Sequence, residues 1–346
     1  MDIDKLKEEC GVFGVYGIDE AAVLTTLGLH SLQHRGQEGA GIVSFDGTHF
    51  YSVKKEGLVG DHFNKAETIN KLPGRYAVGH VRYSTTGESK YENIQPLFAN
   101  LAAGGFSCAH NGNLTNTVAL TKQLVKTGSI FQTTSDTEVI LQLVARSKKR
   151  KIVDKIKDAL SQVEGAYALI IMTNKKLIGI KDPFGIRPLV IGKKNRGYVL
   201  ASETCALDSI GAKYIRDVKN GEMVVITHDG IESIQLFSNY QPRPCIFERI
   251  YFARPDSIVD GQCVYTYRKN LGEQLAIEND AVLLWDVGIA PGMSNMLAKK
   301  ASELFGHLDL VTIKVGGNPT HPDTEWSYMA PFSPSDVIEE YTRPAR

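Results

Sequence analysis

The 346-residue chain has no net charge, with 39 Lys and Arg against 39 Asp and Glu. That balance excludes the basic footprint of a nucleic-acid-binding surface. Its one basic run, Lys148 to Lys151, follows a helical pattern and reads as a solvated helix end. Long hydrophobic runs are missing: the longest, Ala166 to Met172, is far below the roughly 20 residues of a membrane span. Cysteine is scarce, and Cys10, Cys108, Cys205, Cys245 and Cys263 show no paired spacing. An odd, sparse set argues for a reducing compartment over a disulfide framework. Met1 to Glu9 are mostly charged or polar and lack the apolar core of a signal peptide. The expectation is a cytoplasmic protein with no nucleic-acid and no membrane partner.

What is there is a globular composition, 42% hydrophobic and 23% charged, enough for one large or two ordinary domains. The informative stretch is Cys10-Gly11-Val12-Phe13-Gly14, where a thiol opens an apolar strand pattern, Gly11 to Tyr16. A thiol attacking a carbonyl needs a base to take its proton, and no His or Asp lies near Cys10 in sequence. An N-terminal amine, with an ordinary pKa near 8, can be that base. This leads to the expectation that residues 1–9 are a removable propeptide and that mature Cys10 is both nucleophile and chain end. The alternative is a buried structural cysteine on a strand.

Further candidates follow in chain order. Ala21 to Leu32 carries one apolar helix face and runs into Gly36, Gly39 and Gly41, which allow close backbone approach. Two short strands flank Asp46-Gly47 as a hairpin, and Leu58 to Leu72 reads as helical. The strand Tyr76 to Tyr83 ends in Arg82, whose planar fork suits a carboxylate or a surface ion pair. At Asn111-Gly112 a side-chain amide and a backbone N–H could form an oxyanion hole; the plain reading is an Asn-Gly turn. Ser135 to Glu138 has capping-box spacing, with Asp136 serving either the helix dipole or a ligand's ammonium group. Strands are expected over 166–172, 177–181, 188–191, 198–202, 221–227 and 231–236. Gln241 to Pro244 reads as a linker, Ile246 to Phe252 as a strand and Val264 to Ala276 as a helix. Two sheets with helices outside them account for this order.

Together these motifs resemble one family. Cys10 to Gly14, His34 to Gln37, His80 to Thr85, His110 to Asn113 and Ser135 to Glu138 are similar, in this order, to the landmarks of class II glutamine amidotransferases, which are N-terminal nucleophile hydrolases. Asp182 to Leu189 and Ala201 to Thr204 look like the same domain, and Cys245 to Ser257 is similar to the segment that follows it in the amidophosphoribosyltransferase family. The resemblance implies an α+β fold, an αββα sandwich over residues 10–240, then over 241–277 a linker and the start of a phosphoribosyltransferase-like domain. It also implies glutamine hydrolysis supplying ammonia for phosphoribosylamine formation in purine biosynthesis. Cys10 would be the nucleophile, Asn111 and Gly112 would hold the oxyanion, and Arg35, Arg82, Tyr83, Thr85 and Asp136 would line the glutamine pocket. The resembled family further implies phosphoribosylpyrophosphate as second substrate, Mg²⁺, a [4Fe–4S] cluster to which Cys245 would be the one matching ligand, and a homo-oligomer.

From about residue 278 the pattern departs. Asp280, Asp286, Asp309, Asp323 and Asp336 stand apart, no Gly/Thr-rich phosphate loop is found, and no cysteine follows Cys263. The segments 286–295, 314–319 and 339–346 resemble an internal piece of the saccharopine dehydrogenase-like family, without its dinucleotide-binding glycines. The expectation for 278–346 is a truncated, atypical α/β tail, a transferase half missing here, and neither Mg²⁺ nor cluster complete. Alternatives are another class II amidotransferase, such as the glucosamine-6-phosphate synthase type, or a non-catalytic fusion fragment.

Overall fold

In the computed structural model the described residues are 10–83, 91–237 and 240–278. The expected propeptide, Thr85 and the tail from 279, with its saccharopine-like resemblance, lie outside them. The chain divides into two units, Met1–Asn270 and Leu271–Arg346, and of the second only the end of the last helix is described.

Two antiparallel sheets face each other. The first contains β1 (Gly11–Tyr16), β2 (Gly39–Phe45), β3 (Phe50–Glu56), β4 (Tyr76–Arg82), β9 (Val190–Lys194), β10 (Gly197–Ala201) and β11 (Lys213–Asp217), in the order β11-β9-β10-β1-β4-β2-β3. The second contains β5 (Leu97–Leu101), β6 (Gly104–Leu114), β7 (Gly165–Thr173), β8 (Leu177–Lys181), β12 (Glu222–Thr227) and β13 (Gly230–Gln235), in the order β13-β12-β8-β7-β6-β5. Helices α1 (Ala21–Ser31) and α7 (Thr204–Asp208), with the single turn α2 (Val59–His62), pack outside the first sheet. Helices α4 (Thr117–Lys126), α5 (Thr137–Arg146) and α6 (Ile152–Leu160) pack outside the second. The single turn α3 (Ala66–Ile69) precedes β4, and a small hairpin, β14 (Ile258–Val259) and β15 (Gln262–Cys263), leads into α8 (Val264–Glu278). This is the expected αββα sandwich.

The central strands are apolar throughout because both of their faces are covered. Alternation with period two sends each side chain to a definite layer. Phe13 and Val15 of β1 meet the outer helices, whereas Val12 and Tyr16 enter the layer between the sheets. In β7, Leu169 and Ile171 face helices, and Ala168, Ile170 and Met172 face the other sheet.

Several expectations change. Leu58 to Leu72 holds only the single turns α2 and α3, anchored by Val59, Phe63 and Leu72. Ile246 to Phe252 is not a strand but a helical turn, Glu248–Phe252. Its buried positions, Glu248 and Phe252, are four apart, while Ile246, Phe247, Ile250 and Tyr251 are exposed, which is helical and not alternating burial. Asn111-Gly112 is not a turn, since β6 continues through it and pairs Asn111 with Ala168 and Gly112 with Tyr167. The glycines before and in β2 do allow close approach, to the protein's own backbone: a Cβ on Gly36 would lie 2.6 Å from the Arg82 carbonyl carbon, and one on Gly41 2.2 Å from the Gln95 oxygen.

Phe13 is fully buried in the outer core of the first sheet. Phe13→Ala should lower unfolding free energy by about 3–5 kcal/mol, the range for emptying a buried aromatic site. Urea unfolding followed by fluorescence checks this, and a midpoint within error of the parent would mean that the site collapses without loss.

Candidate active site

The same period-two rule locates the candidate side chains. On β4, Val78 lies in the inter-sheet layer, so His80 and Arg82 follow it on that face. On β6, Ala109 lies there, and Asn111 follows it. Cys10 precedes β1 with the parity of Val12, and the β1–β4 register, Gly11 opposite Val81, continues to Cys10 beside Arg82. The apolar layer therefore ends in Cys10, His80, Arg82 and Asn111, all buried. The two sheets are tied there by His80 Nε2, 3.1 Å from the carbonyl of His110.

The Cys10 thiol donates to the Tyr83 carbonyl, with Sγ 3.6 Å from the oxygen. Burial pushes its pKa up, while the Tyr83 carbonyl contact and the charges of Arg82 and Arg187 oppose the rise; Asp136 adds to it. Asn111 is fully buried, and neither its amide nitrogen nor its oxygen has a hydrogen-bond partner among the described residues. An unsatisfied buried polar group costs about 1–3 kcal/mol, so such a group calls for a reason. Gly112 holds φ at 143°, and a Cβ there would lie 2.1 Å from the Ala166 oxygen. No other residue fits that backbone.

Arg82 donates from Nη1 to the Asn93 carbonyl at 2.9 Å. Asp136 is not in the first helical turn but at the position capping α5, and its side chain makes no cap hydrogen bond. Its carboxylate accepts from Leu114 N–H at 2.9 Å and lies 3.5 Å from His110 Nδ1. Burial works against its ionisation, but His110 and the Leu114 and Thr137 N–H groups outweigh that, and its pKa falls below the usual carboxylate range. Glu138 accepts from the N–H groups of Gln132 and Thr133, as a capping-box acid turned onto the loop before the helix. Tyr83 is one-third exposed at the rim.

Arg35 sits beneath Cys10. Its Nε donates to the Cys10 carbonyl at 2.9 Å, Nη1 to Glu203 at 2.7 Å, and Nη1 and Nη2 to the two oxygens of Glu248 at 3.0 and 2.7 Å. Burial opposes the Arg35 charge, yet the two carboxylates push its pKa up. His80, Glu203 and Glu248 are absent from the sequence-based set. Glu203 and Glu248 carry no local signal, because their partner Arg35 lies 168 and 213 residues away.

Cys245 and Cys263 are half-buried, and Cys10, Cys108 and Cys205 are buried in the sandwich. A four-iron cluster takes four thiolates, and no group of three or more His, Cys, Asp and Glu among the described residues is arranged to hold a metal ion. The described cysteines do not make a cluster site. No helix among the described residues is long and apolar enough to cross a membrane.

His80 carries a pH prediction. Burial, with the Arg82 charge, lowers its pKa to about 3. The unfolded chain, with His near 6.5, takes up the proton first, so stability present above pH 6.5 is lost as pH falls from there toward 3. Between pH 7 and 5 the loss from this residue is about 2 kcal/mol. His80→Gln should show a correspondingly flatter decline in urea-unfolding free energy over that interval. Parallel curves for the two proteins would show that His80 protonates in place.

The glutamine amidotransferase domain family matches residues 80–209. An amidophosphoribosyltransferase of Rhizobium etli is 55% identical over 284 residues, 81% of this chain and 57% of that protein. The Bacillus subtilis amidophosphoribosyltransferase is 50% identical over 279 residues, 80% of this chain and 58% of that protein. The chain thus spans little more than half the length of these curated relatives. The solved B. subtilis glutamine phosphoribosylpyrophosphate amidotransferase, in complex with ADP and GMP, is similar with a TM-score of 0.74 and 49% identity over 78% of this chain and 58% of that one. A solved structure of the allosteric regulatory enzyme of purine biosynthesis is similar with a TM-score of 0.77 and 43% identity, covering 96% of this chain and 70% of that one. With this degree of likeness, the chain belongs to the amidophosphoribosyltransferase family.

Proposed function

We propose that this chain hydrolyses glutamine at Cys10 and supplies ammonia for phosphoribosylamine formation from phosphoribosylpyrophosphate, the substrate in the name of its solved B. subtilis relative. The observation that carries the reading is Asn111: a buried amide with no partner among the described residues, on the face of β6 that meets the Cys10 end of β1.

Removal of residues 1–9 frees the Cys10 α-amine, which takes the thiol proton. No histidine or carboxylate among the described residues hydrogen-bonds Sγ, which supports this base. The thiolate adds to the glutamine side-chain carbonyl, forming the S–C bond. The oxyanion is held by the Asn111 amide and the Gly112 N–H. Collapse breaks the C–N bond, the Cys10 ammonium protonates the leaving nitrogen, and ammonia departs from a thioester. Water, deprotonated by the amine, releases glutamate. Arg82 takes the α-carboxylate, the ionised Asp136 takes the α-ammonium, and Tyr83 stands at the rim. Arg35 holds the Cys10 carbonyl from below. The residues named here serve the hydrolytic half-reaction.

Asn111→Ala should lower kcat for glutaminase about 10²–10³-fold with little change in KM, as for loss of one oxyanion donor. Cys10→Ala, measured alongside, should be inactive, and the active protein should start at Cys10 by intact mass. Full activity of Cys10→Ala, or of a chain still starting at Met1, would end the reading. Arg82→Lys keeps the charge and loses the fork, and should raise KM by the equivalent of about 1.5–3 kcal/mol. An unchanged KM would place Arg82 outside the pocket.

A further inference from the structure

Beneath Cys10 lies a set of buried charges. Arg35, Arg187, Glu203 and Glu248 are each at most 3% exposed. Arg187 Nη1 donates to Glu248 at 3.0 Å, and its guanidinium lies over the Phe252 ring, 5.7 Å from the centroid. Glu203 also accepts from His34 Nε2 at 2.7 Å, Ser257 Oγ at 2.7 Å and the Arg254 N–H at 2.9 Å. Each of these guanidiniums has a carboxylate partner, as buried ions require. Glu203 touches Arg35 through one nitrogen, and a single contact leaves the guanidinium plane free to rotate. Glu248 grips two nitrogens, and that fork fixes the plane and with it the direction of Nε.

We propose that Glu248 is a positioning residue for the nucleophile: from the helical turn beyond both sheets it orients Arg35, and Arg35 Nε sets the Cys10 carbonyl and so the place of its amine and thiol. The proposal rests on the reading of Cys10 as nucleophile. It makes the segment that follows the sandwich a working part of the hydrolytic centre. The charged groups facing Cys10 are Arg82, Arg187 and Asp136, with Arg35 at its carbonyl; behind them stand Glu203, Glu248 and His34, and Asp256 and Arg268 act on Glu203 from further out.

Glu248→Gln keeps the shape and removes one negative charge from the cluster. In the purified full chain, glutaminase kcat should fall about tenfold or more, with KM within about threefold, as for a misplaced nucleophile. The pH midpoint for alkylation of Cys10 by iodoacetamide, read by peptide mass, should move down by about half a unit or more, because loss of that negative charge favours the thiolate. If Glu248→Gln does not fold, Glu248→Asp retains the charge but not the reach, and should lower kcat while leaving the midpoint in place. A folded Glu248→Gln with parental kcat and midpoint overturns the proposal, as does a parental kcat in the Asp variant. A parent chain without glutaminase activity overturns the functional reading and this proposal with it, whereas an active parent with parental variants overturns this proposal alone.

Discussion

Val12, Val43, Val78 and Leu200 from one sheet meet Ala109, Ala168, Ile170 and Val224 from the other in one apolar cluster. Burial of this order, about 25 cal/mol per Å² of apolar surface, holds the sheets face to face. It also imposes a constraint: a strand in this layer has no solvent face, so any polar residue pointing inward must be paired or must wait for a ligand. The site is where that constraint is relaxed. At one end of the layer the inward positions change from Val78 to His80 and Arg82 on β4, and from Ala109 to Asn111 on β6.

The sandwich was legible because its strands are long, apolar and bounded by turn residues. β1, β4, β7, β8, β10 and β12 lie where alternation and turns place them, and α1 and α5 follow their apolar spacing. What escaped has a common cause, dependence on partners far away in sequence. β5 and β11 are short and only partly apolar; each gains its definition from the strand beside it. The Ile246 to Phe252 stretch looks like a strand by composition, but Glu248 and Phe252 are claimed by Arg35 and Arg187 and the chain coils to deliver both. The sequence marked Arg35 as a pocket candidate, but gave no sign that its fork would be filled from within the protein.

The Asn-Gly pair shows the limit from another side. By local rules it is a turn, and β6 overrides them by supplying a full ladder with β7. Asn and Gly are poor strand formers, so their presence inside an eleven-residue strand is a local conflict that tertiary pairing absorbs. Such conflicts gather at working sites.

Asn111 carries a consequence for how such a protein can change. Its two polar atoms, unpaired among the described residues, make the resting fold less stable than an apolar residue of similar size would, since replacing a buried unpaired amide removes a desolvation penalty of about 1–3 kcal/mol. Selection for heat resistance alone would therefore drift toward Leu or Met at this position and lose the amide in the same step. The native residue persists only where something besides folding is selected. Thermal tolerance and this amide pull the same codon in opposite directions.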